Sequence, residues 1–287
     1  MTPKVVGMPP LWKLRSEKLG FPRPLAVGIV NVTDDSFHPG ARSETADQAI
    51  LDGMRLAREG FDLIDVGAVA ARSGPPVASG TEAAKLVPAI EGLKGRGVRV
   101  TADTFSAAVA RRALRAGAEA INDIGGGADP EIFEVAAESG CGYVLMHIEG
   151  RPRESREPRP LGDPIERLKR WFAERIEAAM ERGMDEEQIA LDPGLDFDLT
   201  VDDDIEILRR LGELGGLGRP LFVSLSRKDF LGALLAGSWE ERAPVTEREW
   251  ATAAAAALAV SAGAQLMRLH DSSALDAVRV ADRIAHG

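Results

Sequence analysis

The sequence predicts one (β/α)8 barrel of the TIM type spanning residues 1–287, and three observations carry that expectation. Short β-branched or leucine-rich runs recur eight times, separated by stretches whose charges fall on one face and whose Ala, Leu, Ile and Val fall on the other. The runs are apolar throughout, as parallel strands covered on both sides require. No linker-like stretch divides the chain, whose 287 residues are close to the about 250 that such a barrel takes.

Taken in order, residues 1–24 form an extension expected to pack on the barrel, and the eight strands fall at 25–31, 63–67, 98–103, 120–123, 143–147, 189–192, 221–225 and 265–270. Helical periodicity fills the intervals, most clearly at 46–58, 107–116, 164–182 and 203–214. Glycines at 60, 117, 140, 183 and 263 stand where a left-handed helix cap is cheapest. Residues 151–160 hold four Arg and three Pro and read as a solvated loop over the barrel mouth. A doubly wound open sheet would place a glycine-rich phosphate turn after the first strand, but the chain there reads Val32-Thr33-Asp34-Asp35-Ser36-Phe37. The three glycines at 125–127 lack the fingerprint spacing and read as a plain turn.

Composition narrows the function. With 35 Lys+Arg against 45 Asp+Glu the net charge is −10, which argues against wholesale binding to nucleic acid or anionic lipid. An anionic ligand therefore needs a local reversal of charge. Cys141 is the only cysteine, which excludes an internal disulfide and a multi-cysteine metal site and favours the cytosol. The first 20 residues lack the apolar core of a secretory signal. The longest apolar run, 251–262, is mostly alanine and too short to span a bilayer.

In such a barrel the active site is built where the strands end, so the residues there matter most. They are Asn31, Arg72 beyond the second strand, Asp103, Asn122 with Asp123, Met146 with His147, Asp192, Ser226-Arg227-Lys228, and Arg268 with His270. Carboxylates and amides suit a heterocycle with several N–H donors and ring acceptors, each needing a partner when buried. Arg72, Lys228, Arg268 and His270 suit an anion such as phosphate. The mixture points to a polar ring carrying a phosphoryl tail. Ser226 lacks the setting of a hydrolase nucleophile. The four histidines, His38, His147, His270 and His286, show no zinc-ligand spacing, whereas Mg²⁺ bound through substrate phosphates is compatible.

From Leu25 to Ile284 these residues resemble the dihydropteroate synthases. Gly28-Ile29-Val30-Asn31-Val32-Thr33-Asp34-Asp35-Ser36-Phe37 is similar to their first signature, and Ile64-Asp65-Val66-Gly67 with Arg72 to the second. Ala102-Asp103-Thr104, Ile121-Asn122-Asp123, Leu145-Met146-His147, Leu191-Asp192-Pro193-Gly194, Ser226-Arg227-Lys228 and Arg268-Leu269-His270 follow in the family's order. The resemblance implies transfer of 6-hydroxymethyl-7,8-dihydropterin from its pyrophosphate to 4-aminobenzoate, and a homodimer. It implies that Asp103, Asn122, Asp192 and Lys228 grip the pterin, with Met146 packing beside it. Asn31, Arg268 and His270, with Mg²⁺, would hold the pyrophosphate, and Asp103, Lys228, Arg268 and His270 would form the catalytic set. Arg72, Phe197 and Asp229 would line the substrate site.

The chain departs from the family around the arylamine. The second loop usually reads Gly-Glu-Ser-Thr-Arg-Pro-Gly and here reads Ala68-Val69-Ala70-Ala71-Arg72-Ser73-Gly74. Asp229 replaces a serine near the aminobenzoate carboxylate, and Asp196 and Asp198 add acids beside Phe197. Two readings of these changes stand: drift in the loops with activity kept, or repulsion of aminobenzoate with altered acceptor or sulfonamide recognition. Rival readings are a pterin-binding paralogue without synthase activity and a corrinoid-linked methyltransferase, which would share Asp103, Asn122 and Asp192 but has no need of Lys228, Arg268 and His270 together.

Overall fold

The protein, seen in a computed structural model, is described over residues 10–32, 45–70, 74–154, 158–159 and 161–286. Arg72, His38, residues 33–37 of the first signature and the His286 side chain lie outside the described residues.

A short hairpin, β1 (Trp12–Lys13) and β2 (Lys18–Leu19), precedes the barrel strands β3 (Leu25–Asn31), β4 (Leu63–Gly67), β5 (Val100–Asp103), β6 (Ala120–Asp123), β7 (Gly142–Met146), β8 (Ile189–Asp192), β9 (Phe222–Ser224) and β10 (Leu266–Leu269). All neighbouring barrel strands pair in parallel, in the order β8-β7-β6-β5-β4-β3-β10-β9. The parallel bridge Leu191↔Leu221 brings β8 to the chain entering β9 and closes the ring. Between the strands run α1 (Ala46–Glu59), α2 (Ser79–Lys94), α3 (Ala107–Ala116), α4 (Glu131–Ser139), α5 (Pro164–Glu181), α6 (Val201–Arg209), α7 (Asp229–Ala236) and α8 (Glu249–Ser261), and α9 (Ser272–His286) follows the last. No described helix is long and apolar enough to cross a membrane.

The boundaries follow local chemistry. α3 ends at Gly117, whose φ of +111° lets its N–H reach back to Ala113 and Leu114 carbonyls. α6 starts at a Thr200/Asp203 capping box, two residues before the expected start at 203. The helix expected to continue to 214 instead tightens after Arg209 into a 3-10 segment, Leu211–Leu217, where Gly212, Gly215 and Gly216 weaken α-helical propagation.

The period-two alternation of strand side chains divides the core. Outward residues such as Ile64, Val100, Ile121, Tyr143 and Leu191 pack under the helices. Inward residues Val27, Leu63, Ala120, Val144, Ala190, Phe222 and Leu266 fill the lower barrel, where Trp12 and Leu14 of the hairpin segment join them. Trp12 is fully buried and donates its indole N–H to the Gln188 carbonyl at 2.9 Å. The lower end is thus plugged by apolar side chains, and polar inward residues accumulate toward the upper end.

Candidate active site

Strand register sets the site. Asn31 pairs with Gly67, Gly67 with Asp103, and Asp103 with Asn122, so these residues form one row at the ends of four adjacent strands. Gly67 is the gap in the row. A Cβ there would sit 3.3 Å from the Asp103 Cβ and 3.4 Å from the Asn31 Oδ1, so glycine leaves a polar cradle between them. A cavity of about 780 Å³ opens above and gathers ten of the residues predicted from the sequence: Asn31, Asp103, Asn122, Met146, Asp192, Phe197, Lys228, Asp229, Arg268 and His270.

One side of the cavity is apolar. Met146, Ile124 and Ile148 form a small buried cluster against which Phe105 and Phe197 pack. The Lys228 ammonium lies 4.4 Å from the centre of the Phe197 ring and donates to the Leu195 carbonyl at 2.9 Å. Asp192 is buried, and its Oδ1 accepts the Gly194 N–H at 2.8 Å. Gly194 has φ +69°, and a Cβ there would lie 1.9 Å from the His147 carbonyl oxygen, so the turn holding Asp192 requires glycine. Burial pushes the Asp192 carboxyl up to about 6, against the opposing pull of the Gly194 N–H, Lys228 and Arg268.

Beneath the row lies a charge network that the rim residues alone did not reveal. Arg268 donates from Nε to Asp65 Oδ2 at 2.6 Å and from Nη2 to Asp103 Oδ2 at 2.7 Å. Asp65 also accepts from the Thr101 hydroxyl and from Asn122 Nδ2, the latter at 2.9 Å. Burial raises the Asp103 pKa, Arg268 opposes the rise and Asp65 adds to it. Burial works against the Arg268 charge, but the two carboxylates outweigh it. Asp65 had a visible signal, a carboxylate inside the apolar run 63–67, but the rim criterion passed over it.

Not every strand-end residue faces the cavity. Asn122 and Met146 point inward, so their successors point out. Asp123 is buried among the helices, accepting from Gly125 N at 2.7 Å, Gly127 N at 2.6 Å and the Tyr143 hydroxyl. It ties down the glycine turn at 125–127. His147 packs edge-on against Trp171, and burial lowers its pKa to about 4. His270 faces Ser226, with its Nδ1 2.8 Å from the hydroxyl. Arg227, at φ +59°, does border the cavity, with its guanidinium paired to Asp271 at 2.7 Å.

The repulsion expected from Asp229 is corrected. Its carboxylate pairs with Arg248 at 2.6 Å and lies 3.4 Å from Arg242, so two guanidiniums offset the acid at the mouth. Asp196, expected as a further acid, accepts the N–H groups of Asp229 at 2.7 Å and Phe230 at 3.2 Å and so caps α7. Arg242 and Arg248 belong to the loop before α8, where no periodicity marked them. Arg153 donates to the carbonyls of Ala70 and Pro75, the latter at 2.7 Å.

A family model described as pterin binding enzyme matches residues 27–270. The chain is 36% identical over 266 residues to the dihydropteroate synthase of Synechocystis sp., covering 91% of this chain and 90% of that one. It is 39% identical over 259 residues to a Mycobacterium leprae protein named inactive dihydropteroate synthase 2, covering 87% and 86%. The solved structure of Xanthomonas albilineans dihydropteroate synthase with 4-aminobenzoic acid superposes with a TM-score of 0.87 at 34% identity, covering 98% of this chain and 100% of that one.

Proposed function

Because the chain belongs to the dihydropteroate synthase family of pterin-binding enzymes, we propose that it joins 6-hydroxymethyl-7,8-dihydropterin pyrophosphate to 4-aminobenzoate, releasing pyrophosphate. The observation that carries the reading is the convergence of Asp103, Asn122 and Asp192 with Lys228, Arg268 and His270 on one cavity. A pterin presents adjacent N–H and amino donors, which an ionised carboxylate such as Asp192 accepts as a pair. Met146 and Phe197 supply the apolar contact that a flat ring needs.

Charge develops on the leaving oxygen as pyrophosphate departs from the pterin methylene, so donors held toward that oxygen lower the barrier. Pairing with Asp65 and Asp103 engages two of the five N–H donors of Arg268, and the rest serve the diphosphate together with His270. Lys228, on the other side, bridges the pterin wall and the aryl side at Phe197. Among the described residues no cluster of three or more His, Cys, Asp or Glu could hold a metal. The single amide oxygen of Asn31 beside the Gly67 gap fits a Mg²⁺ that keeps its waters and arrives on the diphosphate. Bound there, it would supply positive charge to the phosphoryl oxygens. The same reading puts the protein in the cytosol, which suits the buried free thiol of Cys141. It also makes it a homodimer through the α8/α9 face, where Trp250, Leu258, Val280 and Ile284 are exposed.

A second reading, a pterin-binding paralogue that does not use 4-aminobenzoate, is favoured by one observation. Asp196 takes up the first N–H groups of α7 beside Asp229, at the position that would face an aminobenzoate carboxylate. A pyrophosphate-release assay with the pterin substrate separates the readings. Release that depends on 4-aminobenzoate supports the synthase. Calorimetric pterin binding without 4-aminobenzoate-dependent release supports the paralogue.

A further inference from the structure

Asp65 is fully buried, so it cannot touch a ligand in the cavity, yet its carboxylate accepts from two residues that line it. Oδ2 takes Asn122 Nδ2 at 2.9 Å and Arg268 Nε at 2.6 Å, while Oδ1 takes the Thr101 hydroxyl from the directly paired position on β5. A carboxylate only accepts, so the Asn122 amide must turn its nitrogen to Asp65. Its Oδ1 is then left buried without a partner among the described residues. A buried amide oxygen without a partner carries a cost that a donor on the ligand removes. Arg268, gripped at Nε, is held at the angle that lets Nη2 reach Asp103.

We propose that Asp65 is the positioning residue of this site: from below the ligand it locks the Asn122 amide with its oxygen offered to a ring donor and sets the guanidinium of Arg268. Thr101 in turn holds Asp65. The ligand half of this inference rests on the pterin reading; the lock itself does not.

The chain has only two asparagines, Asn31 and Asn122, so labelling with ¹⁵N-asparagine yields two side-chain amide pairs, both from the candidate site. In the ligand-free protein the Asn122 amide protons should exchange about tenfold more slowly than those of Asn31, and Asp65→Asn should abolish the difference while leaving the Asn31 signal in place. Equal exchange in the wild type overturns the lock without reference to any ligand. Calorimetry with 6-hydroxymethyl-7,8-dihydropterin then tests the consequence. Asp65→Asn should weaken binding by about tenfold, the upper end of the scale for one lost hydrogen bond between neutral groups. In an Asn122→Ala background the same change should cost less than about threefold, because the effect passes through Asn122. Equal losses in both backgrounds make Asp65 a structural residue only and overturn the proposal. Should Asp65→Asn fail to fold, Thr101→Val, which leaves every cavity-lining side chain in place, should speed Asn122 exchange. Unchanged exchange there overturns the proposal as well. A wild type with a protected Asn122 that binds no dihydropterin refutes the pterin reading and leaves the lock standing.

Discussion

Replacing Asp192 by Asn should stabilise the ligand-free protein at neutral pH while weakening its hold on the pterin. Burial lifts this carboxyl from 3.8 to about 6 in the folded chain. At about 1.36 kcal/mol per pH unit, holding the ionised form costs roughly 3 kcal/mol when the pH is well above both values. Between the unfolded and folded pKa values the native state binds more protons than the unfolded state, so stability falls as pH rises through this window and levels off above about 6. Lowering the pH from 8 to 5 should therefore return roughly 1.4 kcal/mol more to the wild type than to Asp192→Asn, since every other titrating group is common to both. With an unfolding entropy of about 2.1 cal/mol/K per residue over 287 residues, the full 3 kcal/mol corresponds to roughly 5 °C in Tm. Urea unfolding of both proteins at pH 8 and pH 5, without ligand, measures the difference. A gap between them that does not change with pH refutes the reasoning, since a packing or hydrogen-bonding change carries no proton. Pterin affinity should fall by about tenfold or more in the variant, and in the wild type it should weaken below about pH 6, where the carboxylate takes up its proton.

Three further outcomes follow from the same geometry. Arg268→Ala leaves Asp65 and Asp103 buried without their cation and should cost about 3–5 kcal/mol at pH 7.5 in addition to cutting turnover. The stability deficit should shrink at pH 5.5 as Asp103, whose pKa burial raises, takes up a proton, and urea titrations at the two pH values check this. Gly194→Ala, with φ +69° and a Cβ 1.9 Å from a carbonyl oxygen, should lower stability by about 1–3 kcal/mol and abolish pterin binding, read by thermal melts with and without ligand. Asp229→Ser should leave pterin affinity within about threefold and cost about 1–3 kcal/mol, because it strips the carboxylate from the buried Arg248. Tighter 4-aminobenzoate binding without loss of stability would instead restore the repulsion argument.

Much of the barrel is legible in the chain because local rules repeat. Apolar runs of strand length, helical periodicity between them and turn glycines are short-range signals, and a parallel strand pattern admits few closed arrangements. The rim residues are legible for the same reason, since a barrel displays its strand ends on one face. Alternation within a strand was also available. It separates Asn122 from Asp123 and Met146 from His147, which the strand-end criterion alone merges.

What the sequence by itself determined is which residues end each strand, and hence that acids, amides and cations share one rim. Tertiary structure alone decided how those charges pair. Asp65 meets Arg268 across 203 positions of chain, and Asp229 meets Arg248 through a loop with no periodicity. An acid's effect on a site depends on the few ångströms to its nearest counter-charge, because Coulomb energy falls with distance and with the polarity of what lies between. Sequence spacing carries neither quantity, so the acids at 196 and 229 read as repulsive in the chain and prove to be a helix cap and one half of an ion pair in the fold.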